Sequence, residues 1–156
     1  MSLERKKALL FSSLERAAEV LGDITPHTMA LFYRRYPEAL ALFEELYPSA
    51  RLSLEGEMVQ QIFFCLMEWY DFPSEIEIIL TTTIPHHIET LKVRPELFQD
   101  LINAVCDTIV ATIPTHEPDE QSVWAELRGG MTSLVGQEVH LVELQKRRRR
   151  TAQSSV

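Results

Sequence analysis

The chain has 156 residues, 46% of them apolar, enough for one domain with its own core. No stretch reaches the roughly 18 uninterrupted apolar residues of a membrane span. The N-terminal MSLERKKALLFSSLERAAEVLG carries charge on both sides of a short apolar run and no small-residue cleavage site, so it does not read as a signal peptide. All 23 acidic residues precede position 146, against ten of the fifteen Lys and Arg, so that part of the chain has a net charge of −13. Such an acidic body argues against a nucleic-acid surface on the domain itself. KRRRR at 146–150 then adds five positive charges, read first as a solvated helix end or linker.

Apolar residues recur at helical spacing, and glycine is scarce. A first helix is expected from about Leu3 to Leu21, with Ser2 as its cap. GDITP breaks it. Thr25 then caps a second helix with Pro26 in its first position. Met29, Phe32, Tyr33 and Tyr36 form one stripe at i, i+3, i+4 and i+7. Pro37 starts a short third helix, PEALALFEEL. A long helix is expected from about Leu54 to Asp71, with Met58, Ile62, Cys65, Leu66 and Trp69 on one face.

Ser74 can cap a segment that ends in three threonines, and Pro85 cannot continue a hydrogen-bond ladder. A break is therefore expected there, followed by a short helix carrying His86 and His87. Pro95 opens a long apolar helix with Phe98, Leu101, Ile102, Val105, Ile109 and Val110. PTHEPDE is a turn. The last helix is expected from about Glu120 to Gln145, with Trp124, Leu127, Met131, Leu134, Val135 and Val142 on one face. Gly129 and Gly130 inside it predict a close helix contact. The division that follows is a domain over 1–145 and a basic, disordered tail or linker over 146–156. Cys65 and Cys106 sit within apolar helical patterns and read as reduced core residues, which points to the cytoplasm. No phosphate loop, paired-Cys motif or nucleophile elbow appears.

FYRRYPEALALF resembles the junction between the second and third helices of globins, where a proline starts a short helix ending in a haem-contacting phenylalanine. Here these are Pro37 and Phe43. HHIETLKVRPELF resembles the globin proximal region: a histidine, then Val or Ile, then a proline opening the next long helix. Trp124, near the start of the last helix, is similar to the late tryptophan of bacterial single-domain globins. The resemblance spans roughly residues 10 to 140.

It implies an all-α, globin-like fold of about seven to eight helices and a haem b cofactor, iron protoporphyrin IX. His87, six residues before Val93, is the implied iron ligand, with His86 the alternative. Family spacing to the proline points one residue later, so the turn must hold one extra residue. Phe43 would wedge the ring, with Phe32, Met58, Val93 and Phe98 lining the pocket. The family's distal positions fall on Met29 in the second helix and on Leu54, or Glu55, in the long one. That distal side is apolar and offers bound oxygen no hydrogen bond, which predicts weak oxygen retention while CO and NO still bind. Lys92 or Arg94 is expected to pair with propionates.

The function expected from this resemblance is binding or sensing of a diatomic gas (O2, CO or NO), without enzymatic turnover. A homodimer through the last helices is the expected assembly, as in globin-coupled sensors. The alternative is a haem-free globin-like module for signalling or protein interaction. His27, His116 and His140 are expected to face water, and no other metal-binding spacing emerges.

Overall fold

The computed structural model describes residues 1–89 and 93–155. Among them are seven helices and no strand: α1 (Leu3–Leu21), α2 (Ile24–Arg35), α3 (Pro37–Leu46), α4 (Arg51–Met67), α5 (Pro73–Glu89), α6 (Glu96–Val110) and α7 (Pro118–Ser154). The all-α reading holds, and so do the bounds of α1 and α3. Ser2 accepts the Arg5 amide at 3.2 Å, and Pro37 occupies the first turn of α3. Gly22 ends α1 with φ +65, a conformation that costs a side-chain-bearing residue more than glycine.

Four boundaries differ from the sequence reading. The cap of α2 is Asp23, whose carboxylate accepts the Thr25 amide at 2.9 Å, so the helix begins one residue before Thr25. The long fourth helix lies earlier than expected, from Arg51 to Met67. No break occurs at Pro85: α5 is continuous across it. Ile76, Leu80, Ile84 and Ile88 recur every four residues and are all buried, and their burial outweighs the one backbone bond that proline removes. Finally, α7 does not stop near Gln145. It runs through the basic stretch to Ser154, so the segment expected to be a disordered tail is helical in the structure.

α6 is the central element. It packs against α1, α2, α4 and α7, and α7 also packs against α1 and α5. Accordingly α6 is buried around most of its circumference, from Leu97 through Ala104 and Cys106 to Ile109. Trp124 of α7 is fully buried, and its indole N–H donates to Ser13 Oγ at 2.7 Å. Ser13 donates in turn to the Leu10 carbonyl at 2.8 Å. This chain satisfies the polar handle of a core tryptophan and fixes α1 on α7. Beside it the Arg16 guanidinium grips the buried Glu120 carboxylate with two hydrogen bonds, at 2.5 and 2.9 Å. Gly130 is where α7 meets the Trp69 indole, so closely that a methyl group there would collide with three ring carbons. Gly129 next to it has open space. The predicted close contact therefore belongs to Gly130 alone.

Candidate functional site

α2 to α7 surround a cavity of about 110 Å³ that opens to solvent. Its walls follow from helix periodicity. α4 contributes Leu54, Met58, Ile62 and Cys65, one face at intervals of three and four residues; α5 contributes Leu80, Thr83, Ile84 and His87 on the same spacing. Phe32 comes from α2, Phe43 from α3, Phe98 and Leu101 from α6, and Met131 and Val135 from α7. The walls are overwhelmingly apolar.

His87 is the one imidazole on these walls. Its Nδ1 lies 2.8 Å from the Thr83 carbonyl, one turn back along α5. A carbonyl only accepts, so Nδ1 carries the proton in the neutral ring and Nε2 keeps its lone pair. The Phe98 ring stands edge-on to the imidazole, with centroids 5.3 Å apart, and restricts its rotation. Val93 donates its amide to the His87 carbonyl at 3.1 Å, closing the chain back on the cavity after the histidine. His86 is a different case. Successive helix residues point about 100° apart, so with His87 turned inward His86 is exposed and does not line the cavity, although the two rings are 5.8 Å apart.

The cavity thus brings together His87, Phe43, Phe32, Leu54, Met58, Val93 and Phe98. Met29 is buried, but not on the cavity wall: one turn before Phe32, it packs in the core. Glu55 is also off the wall. It is buried and held by the Tyr33 hydroxyl at 2.7 Å and Arg51 at 2.6 Å, an arrangement that fastens the start of α4 to α2. Burial, with Glu55 beside it, raises the Tyr33 hydroxyl well above its ordinary pKa and keeps it a donor. Arg94 is paired with Glu38 at 2.9 Å on an exposed surface. Lys92 lies outside the described residues.

Three polar side chains that the sequence reading did not single out also line the cavity: Tyr47, Gln61 and Thr83. Gln61 was findable, since it stands seven residues after Leu54 and three after Met58 on the same helical face. It is exposed and has no hydrogen-bond partner among the described residues, which places an amide at the cavity's solvent edge. Cys65 is buried on the wall, and burial raises its thiol to about 11, so it stays neutral. Among the described residues no group of three or more His, Cys, Asp or Glu is placed to hold a metal ion. Comparison with protein-family models, curated proteins and solved structures gives no match.

Proposed function

We propose that the chain is a haem-binding globin that binds or senses a diatomic gas. The observation that carries this reading is His87: an imidazole on the wall of an apolar cavity, with Nδ1 committed to a backbone carbonyl and Nε2 left with its lone pair. Hydrogen bonding of one ring nitrogen fixes the tautomer and strengthens the other as a metal ligand. A bare metal ion needs three or four protein ligands, whereas the cavity offers one strong donor. That chemistry would suit a metal that arrives already held by a macrocycle and takes one further imidazole.

On this reading His87 would hold the iron, Phe98 would steady the imidazole, and Phe43, Phe32, Leu54, Met58 and Ile62 would line the space for the macrocycle. When bound, the haem iron supplies reversible coordination of O2, CO or NO. The chain's part would be to fix Nε2 of His87, to exclude bulk water with apolar walls, and to offer the Gln61 amide at the solvent edge. No member of this set forms a nucleophile or a charged acid–base pair, so the reading is a binding protein rather than an enzyme. The buried, unpaired thiols of Cys65 and Cys106 suit a reducing compartment, which supports a cytoplasmic location. Assembly as a homodimer through the last helices belongs to the same proposal.

The test is hemin titration of the purified protein, His86→Ala and His87→Gly, followed by absorption spectra of the ferric, reduced and CO-bound forms. A sharp Soret band in the wild type and in His86→Ala is expected, with a changed band in His87→Gly that added imidazole restores. A broad band resembling free hemin in all three proteins would overturn the haem assignment and leave a haem-free interaction module.

A further inference from the structure

The helical end of α7 carries Lys146, Arg147, Arg148, Arg149 and Arg150 in succession, and the four arginines are exposed. At 1.5 Å and 100° per residue these five charges encircle about 6 Å of helix axis. They form a collar rather than a stripe. Only Arg149 has a carboxylate within 4 Å among the described residues, Glu89 at the end of α5, at 3.7 Å. Glu143 stands one turn before Arg147 without pairing to it, and His140 and Glu138 lie further back on the same helix. Like charges at i, i+3 and i, i+4 oppose helix formation, here between Lys146 and Arg149, Lys146 and Arg150, and Arg147 and Arg150. The negative end of the helix dipole offsets part of that repulsion.

We propose that this collar is a docking surface for the phosphate backbone of nucleic acid, read without regard to sequence. Two observations select this partner. First, residues 147–154 read RRRRTAQS, in which Ala152 is the only apolar side chain, so the segment has no apolar face to insert into a lipid surface. A flat anionic membrane also meets only one side of a collar, whereas a grooved polyanion can engage most of it. Second, guanidinium forks match phosphate oxygens in geometry, and four of the five cations are arginine. The −13 body restricts nucleic acid to the tip and leaves the domain surface free of it.

The experiment is fluorescence anisotropy of a short labelled DNA duplex with the full chain and with the combined variant Arg147→Ala, Arg148→Ala, Arg150→Ala. Arg149 and its contact to Glu89 are kept, and alanine preserves helix propensity, which circular dichroism checks. Four free cations predict binding that weakens about 100-fold between about 50 and about 200 mM salt, and a loss of that binding in the variant. Equal binding by the variant, or no binding by the wild type at the lower salt, overturns the proposal. So does sedimentation with phosphatidylserine vesicles in the absence of duplex binding.

Discussion

Gly129 and Gly130 are neighbours in the same helix, and replacing each by alanine should move stability in opposite directions. A methyl group at Gly129 meets nothing within 4 Å, so Gly129→Ala gains only the helix preference of alanine, about 1 kcal/mol. A methyl group at Gly130 runs into three carbons of the rigid Trp69 indole. Overpacking of that kind costs about 1–3 kcal/mol, and the same propensity gain of about 1 kcal/mol works against it. Gly130→Ala should therefore be destabilised by up to about 2 kcal/mol. The propensity term is common to both variants, so the difference between them isolates the clash. Urea denaturation measures it as a shift of midpoint at constant slope. In a Trp69→Leu background the clash disappears, and Gly130→Ala should there become as favourable as Gly129→Ala. If the two alanine variants are equally stable with Trp69 intact, the packing argument for Gly130 is wrong.

Two further expectations concern the polar anchors. Burial alone would raise the Asp107 carboxyl, but hydrogen bonds from Arg128 and Arg35 hold it below its ordinary value. A carboxylate lowered in this way adds stability above its unfolded pKa, about 3.9, and that contribution is lost as the pH falls through the lower folded value. Stability measured from about pH 5 downward should decline less in Asp107→Asn than in wild type; parallel curves would count against the pairing. Glu55→Ala leaves the Tyr33 hydroxyl and Arg51 without their shared acceptor and should cost about 1–3 kcal/mol in urea denaturation, whereas Glu55→Gln keeps an acceptor and should cost less. Equal losses in the two variants would show that the acceptor is not what matters there.

The fold class and the helix order were legible because the apolar spacing is regular and the punctuation is strong. Ser2 and Pro37 mark their helix starts by side-chain chemistry that acts within a few residues. The misplaced boundaries are those where a distant contact decides. Nothing local shows that Ile84 and Ile88 will be buried deeply enough to carry α5 through Pro85. The competition between Asp23 and Thr25 for the cap of α2 is a local matter, and the earlier oxygen wins. At the cavity, His87 and Val93 both line the wall and are joined by a backbone hydrogen bond. The rotation of each helix about its axis was not legible to better than one position. So the spacing points Met29 to a wall that the structure gives to Phe32, and it leaves Gln61 unmarked on the face of Leu54 and Met58.

Pro85 lies two residues before His87 and has no N–H to give to the Thr81 carbonyl, so the last turn of α5 is attached to the rest of the helix by one bond fewer than usual. The imidazole is tied into that turn through the Thr83 carbonyl, while Ile84 and Ile88 anchor it in the core. A pull on Nε2 is therefore resisted mainly by side-chain packing and less by the backbone ladder. The histidine is mounted as on a leaf spring, clamped at its faces and slackened at its root. α7, which packs along α5, adds to that hold.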